Sequence, residues 1–372
     1  MLYMTSLLVS YVGTFFKKNR VLALVSMAIL TYISIYANPQ INNDYLVYES
    51  AYQAAGRNNY FEWLYTLLGQ LALKHGLTYL DFRLWLLVFA GAMLAMGLFR
   101  LIENPSFVIL AYAVTAYFVD TVQVRNYVML SMMVFAYSFL KKNNIINIVI
   151  AVSIGFLATG IHSLGFIFLF GMLFLVLPLK KMIKLFFVGI GGALIVQLLY
   201  FVVGPEVIVN IVAKIGGVFV GRANFIDKVT TQYVSVMSFN SIKIIVLSWL
   251  YYILGVALIF YEVKLQIDAD ENKDEYFETK FKLILSVLMV GLIGLSFMNI
   301  SLDYSRLVRM VFVFELIGLA AFKKKRTSIG YFLFRKLTVI FILVVAFYAQ
   351  NIVYGQAFIE SIPHLINDLV RY

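Results

Sequence analysis

Arg125 stands where one apolar run ends and the next begins, in Val122-Gln123-Val124-Arg125-Asn126-Tyr127. An arginine keeps its charge at any accessible pH and presents a planar fork of donors that matches phosphate oxygens. The same position would also suit an arginine snorkelling to headgroups, or one paired with Asp120. His162 follows in Thr159-Gly160-Ile161-His162-Ser163, with Gly165 close by. Histidine can donate to phosphate or exchange a proton near neutral pH, and the small residues would let backbone approach a bulky ligand. A third group is Asp303-Tyr304-Ser305-Arg306-Leu307-Val308-Arg309. Arg306 and Arg309 are three apart and share a helical face, for ligand contact or for structural ion pairs. Glu315, deeper in the same run and on nearly the opposite face, is expected to pair with another helix.

Two further candidates precede these. Asn43-Asp44-Tyr45-Leu46-Val47-Tyr48-Glu49-Ser50-Ala51-Tyr52 puts Tyr45, Tyr48 and Tyr52 on one helical face, with Asp44 at the N-cap. That face would serve as an interfacial aromatic belt, or as a platform where rings stack on sugars and carboxylates accept hydroxyl protons. Glu62 heads Phe61-Glu62-Trp63-Leu64-Tyr65-Thr66-Leu67-Leu68, whose helical spacing resembles an interfacial amphipathic helix.

The elements that must carry these residues are membrane helices. The 372 residues are 62% hydrophobic and only 13% charged, with a mean hydropathy of +0.90. Soluble domains run at roughly 45–50% apolar and about 25% charged, so lipid has to cover this surface. Apolar runs of the order of 20 residues recur from end to end, each about enough to span as a helix. The net charge of +11 lies in short clusters between those runs. That is a topology signal and excludes nucleic acid as the partner. With no cysteine there is no disulfide, thiolate metal site or cysteine nucleophile. The first apolar run has its charges, Lys17-Lys18-Asn19-Arg20, after it, so it is expected to be a retained helix and not a cleaved signal.

Twelve spans are expected: Leu2–Phe16, Val21–Ala37, Leu84–Leu101, Phe107–Val122, Tyr127–Leu140, Ile145–Ile161, Leu164–Leu179, Leu185–Val203, Ile244–Tyr261, Leu283–Ile300, Leu307–Phe322 and Leu337–Tyr354. They form one integral membrane domain covering 1–372. Most of the 30 lysines and arginines then fall in one set of short loops, which the Lys/Arg bias assigns to the cytoplasm. Both termini are expected outside, as are two long loops, about 38–83 and 204–243. A charged loop, about 263–282, is expected to be a cytoplasmic connector. In this threading Asp44, Glu62, Asp120, Arg125, His162, Asp303, Arg306 and Arg309 all reach the outer face. Charge in or near hydrocarbon is costly and usually functional. The sequence holds no GxxxxGK[ST] and no HExxH, and its three histidines make a transition-metal site improbable; no cofactor and no metal are expected.

Taken in order, these features resemble the EpsG family of Wzy-type exopolysaccharide and capsular polysaccharide polymerases. The resemblance rests on Asp44-Tyr45-x-x-Tyr48, on Glu62 in FEWLYTLL, on Arg125, on His162-Ser163 and on the basic start of the eleventh span. Pro39-Gln40-Ile41-Asn42-Asn43 and Arg125-Asn126-Tyr127 depart from the family's usual residues before the Asp-Tyr and after the arginine. The resemblance implies a multi-pass glycosyltransferase of the bacterial cytoplasmic membrane, of GT-C-like all-α architecture. It would join undecaprenyl-pyrophosphate-linked oligosaccharide units at the outer leaflet, with no metal. Membrane lipids, a chain-length regulator and a flippase would be its partners. In that role Arg125, Arg306 and Arg309, assisted by His162, would hold the pyrophosphate, while Asp44, Tyr45, Tyr48, Glu62 and Ser163 would bind substrate. A carboxylate, Asp44 or Glu62, or His162 itself would serve as the base, and the sequence does not rank the two carboxylates. The rival readings are a lipid-linked oligosaccharide flippase, or a membrane ligase or acyltransferase of cell-surface glycans. No second half echoes the first, as a transporter's paired repeats would.

Overall fold

A peptide group left unpaired in lipid costs several kcal/mol, so a chain this apolar has to satisfy its backbone within helices. The computed structural model describes residues 1–16, 19–36, 43–55, 61–142, 144–203, 239–268, 276–323 and 328–354; these are helical throughout, with no strand among them. The long loop 204–238 and most of the connector before 276 lie outside the described residues.

In chain order the helices are α1 (Leu2–Thr14), α2 (Arg20–Ile35), α3 (Asn43–Gln53), α4 (Trp63–Lys74), α5 (Tyr79–Leu101), α6 (Pro105–Thr115), α7 (Tyr117–Val122), α8 (Val124–Phe139), α9 (Ile145–Thr159) and α10 (Gly165–Leu173). There follow α11 (Leu179–Val203), α12 (Phe239–Asp268), α13 (Phe277–Phe297), α14 (Ser305–Ala321) and α15 (Ile329–Phe347), which runs on into a π-helical turn, Tyr348–Tyr354. Each of the twelve expected runs is helical over most of its described residues. Five helices (α5, α11, α12, α13 and α15) are long and apolar enough to cross a membrane, and five shorter apolar helices accompany them. The chain is a multi-pass α-helical membrane protein.

Local chemistry sets many of the ends. Thr78 and Asp81 form a capping box at the start of α5, and Asn19, Asn144 and Ser328 cap α2, α9 and α15. Asn104 caps α6, and its amide also donates to Gly13 O and Thr14 O, tying α6 to the end of α1.

Packing puts α8 and α14 at the centre. Nearly every residue of both is buried, whereas α9, α11 and α15 expose one apolar side suited to lipid. The helices whose second residues are Arg125 and Arg306 are thus largely shielded by the rest of the bundle.

The fourth expected span differs from the sequence reading: it breaks after Thr115 into α6 and α7, and α8 starts one residue beyond α7. Side chains from distant helices take carbonyls set free at the two interruptions. Asn351 donates to Thr115 O at the break, and Arg83 donates to Thr121 O, at the end of α7, at 3.1 Å. Irregular backbone at membrane depth is tolerated where protein buries it in this way. Arg83 also donates to Ser34 O at 3.0 Å and Ile35 O at 3.4 Å, closing the end of α2, where a cation suits the helix dipole. The sequence reading treats Arg83 as a residue of the outer loop; the structure buries it completely.

Glu315 also departs from expectation. It is fully buried, and neither carboxyl oxygen has a hydrogen-bond partner among the described residues. It faces Gly255 of α12, where an added Cβ would overlap its carboxyl group. The glycine, and no cation, is what accommodates it.

Candidate functional site

The site is assembled at one end of the bundle, opposite the lysine-rich ends of the helices, and the clasp that builds it is backbone. The first N–H groups of any helix lack partners, as do the last carbonyls. Here the two ends satisfy each other: Leu64 N and Tyr65 N of α4 donate to Gly160 O, at the end of α9, at 2.9 and 3.0 Å. The approach needs a glycine. A Cβ on Gly160 would lie 2.7 Å from Leu64 Cβ and from Trp63 Cε2. Gly165 is likewise filled by protein, since its Cβ would meet the Thr159 backbone at 3.0 Å. The space beside these glycines is therefore used by α4 and α9, not held open for a ligand.

Docking α4 places Glu62 between two partners. Its Oε1 accepts from Ser163 N at 2.9 Å, and its Oε2 pairs with Arg125 Nη1. Both side chains of the pair are about 10% exposed. Arg125 therefore pairs with Glu62, 63 residues away in sequence, and not with Asp120. The guanidinium lies over the Phe61 ring at 3.7 Å, with Tyr48 at 5.5 Å and Tyr65 at 5.8 Å. Aromatic faces hold a cation by their quadrupoles, so Arg125 has a fixed seat. Its Nε is buried with no hydrogen-bond partner among the described residues.

His162 Nδ1 accepts from Leu164 N at 3.1 Å. The neutral ring then carries its proton on Nε2 and presents a donor there.

On α3 the face carrying Tyr45, Tyr48 and Tyr52 is buried. Tyr48 packs on Phe61 at 5.4 Å, Tyr52 stacks on Phe82 at 5.2 Å, and Tyr45 meets Tyr79 at 5.0 Å. Arg83 lies 5.7 Å from the Tyr45 ring, so Tyr45 belongs with Arg83 and Tyr48 with Arg125. Burial pushes the Tyr48 hydroxyl above the usual tyrosine range; Arg125 beside it pulls the other way, Asp44 adds to the rise and Arg306 opposes it. Tyr48 is thus a permanent hydroxyl flanked by Asp44, Arg125 and Arg306. Asp44 lies inside the first turn of α3 and not at its cap, and its Oδ2 is buried with no hydrogen-bond partner among the described residues.

The paired arginines of α14 part company. Arg306 stays near the surface, bonded to Asp303 Oδ1 at 2.8 Å. Arg309, one turn deeper, is 2% exposed and donates through Nε to Asp120 Oδ1 at 2.6 Å and through Nη2 to Gln123 Oε1 at 2.7 Å. Asp120 also accepts from Tyr112 at 2.7 Å, and Gln123 from Asn126 at 2.8 Å. This network fixes the junction of α7 and α8, two residues before Arg125.

Asp44, Tyr48, Glu62, Arg125, His162, Ser163 and Arg306 thus converge from α3, α4, α8, the α9–α10 turn and α14. The sequence reading passed over Phe61 and Tyr65, although their spacing of four, which puts two rings on one helical face, was visible. Gln123 carried no such signal.

A family model described as the EpsG family matches residues 20–361. No curated protein and no solved structure matches the chain.

Proposed function

This chain belongs to the EpsG family, and on that premise we propose that it is a polysaccharide polymerase working at the outer face of the bacterial plasma membrane. In this reading the twelve helical runs are twelve crossings of a GT-C-like bundle. The substrates are oligosaccharide repeat units on undecaprenyl pyrophosphate. The acceptor's sugar hydroxyl attacks the anomeric carbon of the donor chain, the bond from that carbon to the pyrophosphate oxygen breaks, and the hydroxyl proton passes to a carboxylate.

One observation carries the proposal. Arg125 and Arg306 are each the second residue of a central helix, α8 and α14. A helix N-terminus is positive and disfavours a cation. Two such arginines at one end of the bundle suit an anion that both helix ends and both guanidinium groups can serve. Preorganised donors aimed at a leaving oxygen are each worth about 3–4 kcal/mol of transition-state stabilisation. Glu62, which occupies one edge of Arg125, would yield that edge to a pyrophosphate oxygen while keeping Ser163 N.

The base is assigned to Asp44. Glu62 already accepts two hydrogen bonds through its two oxygens, whereas Asp44 Oδ2 accepts none among the described residues. Arg309, tied to Asp120 and Gln123, holds Arg125 in place and does not contact substrate.

The test is reconstitution in liposomes with lipid-linked repeat units. A ladder of lengthening products from the wild-type chain, lost with Arg306→Ala at unchanged protein level, supports the reading. Units crossing the bilayer without growing in size would make the protein a flippase instead.

A further inference from the structure

At the lysine-rich end of the bundle, far from the site above, α12 and α15 diverge. Between them runs a groove of about 500 Å3 lined by Leu254, Ala257, Leu258, Tyr261, Phe334 and Thr338. That volume is in the range of small-molecule sites, and five of the six lining side chains are apolar or aromatic. Phe334 and Tyr261 are exposed, so the groove opens sideways, towards the bilayer.

Where the groove meets the lysine-rich face, cations outnumber carboxylates among the described residues. Arg335 pairs with Glu262 and donates to Leu319 O at 2.8 Å. Lys323 and Lys336 act on the same spot: Lys323 is held below the ordinary lysine range by desolvation and then by Arg335, Glu262 opposes this, and Lys336 adds to it. Among the described residues, Lys323, Arg335 and Lys336 thus act together beside the Glu262 carboxylate. Lys336 rests over the Phe332 ring at 4.3 Å, and Tyr261 and Tyr331 pair at 6.0 Å, the headgroup-level arrangement of interfacial aromatics.

We propose that this groove binds an anionic phospholipid of the adjoining leaflet, one acyl chain lying between α12 and α15 and the phosphodiester among Lys323, Arg335 and Lys336. A soluble phosphate would use the charges and leave the groove uncovered. A zwitterionic lipid would fill the groove but bring its own cation to a cationic mouth. A lipid with net negative charge answers both features, as basic pockets between membrane helices do elsewhere. The proposal does not depend on the reaction assigned above.

The experiment is thermal unfolding of the full chain in neutral detergent, with dioleoyl phosphatidylglycerol, dioleoyl phosphatidylcholine or glycerol phosphate added. At a hundredfold excess over Kd, phosphatidylglycerol is expected to raise Tm by roughly 3–5 °C, and the other two to leave it unchanged. The Lys323→Gln/Lys336→Gln variant, altered at two exposed side chains, keeps its basal Tm and loses the shift. Ala257→Phe, which fills the groove and leaves the charges, loses it too. An equal shift from phosphatidylcholine, an equal shift from glycerol phosphate, or a full phosphatidylglycerol shift in the double glutamine variant would overturn the proposal.

Discussion

Replacing Arg125 by glutamine should harm this protein in two separable ways. The first is stability. Arg125 and Glu62 are each about 10% exposed, and breaking a buried pair by removing one partner costs about 3–5 kcal/mol. Glu62 would keep Ser163 N, which holds the loss near the low end, about 3 kcal/mol. Against a total of about 5–15 kcal/mol, that reduces the amount of folded protein in the membrane. The second is chemistry. Losing one donor to the leaving pyrophosphate removes about 3–4 kcal/mol, or about 10²–10³ in rate. Adding Glu62→Gln discriminates between the two, because two neutral amides can bond across the same gap and no charge is stranded. Membrane abundance by immunoblot should return to within about 1 kcal/mol of wild type. Polymer per mole of protein, read as a ladder on a gel, should remain down by that factor. If the double variant recovers both, Arg125 is only half of a structural pair and the pyrophosphate assignment is refuted.

Asp44→Asn should leave abundance unchanged and abolish polymer, while Glu62→Gln retains a measurable ladder; the opposite order would move the base to Glu62. Gly160→Ala would drive a methyl into Leu64 and Trp63, which are 2.7 Å from its place. The expected cost of about 1–3 kcal/mol should lift α4 and lower polymer output without altering any charged residue. Asp120→Asn and Arg309→Gln each break a wholly buried pair and should cost about 3–5 kcal/mol in membrane abundance. Arg309→Lys should not rescue, because a lysine cannot reach Asp120 and Gln123 together as the fork does. Gly255→Val should prevent folding by striking Glu315, and Glu315→Ala should restore abundance in the double variant; independent effects would show that the two do not touch.

Much of this architecture could be read from hydropathy, because lipid leaves a chain no alternative to helix. The grouping of Glu62 and Arg125 with the His162-Ser163 turn at one end of the bundle followed from the same threading. What stayed hidden was who pairs with whom. Asp120 lies five residues before Arg125 but bonds Arg309, 189 positions away, and no periodicity reports a contact of that range. The break after Thr115 is equally silent, since nothing in Ala113-Val114-Thr115-Ala116 resembles a stop signal. Asn351, on another helix, takes the Thr115 carbonyl there, and Arg83 closes the far end of α7. Glu315 misled because a buried acid ordinarily implies a cation, whereas here a glycine on the facing helix makes the room.

The clasp of Leu64 and Tyr65 on Gly160 sets an order of events during biosynthesis. Residues 62–65 leave the ribosome about a hundred residues before the turn that receives them, and Arg306 follows far later still. An unfinished chain, however well inserted, therefore holds a carboxylate with no seat and an Arg125 without Arg306. On the proposed function, the site would be complete only once the last third of the polypeptide is in the bilayer, and prematurely terminated products should make no polymer.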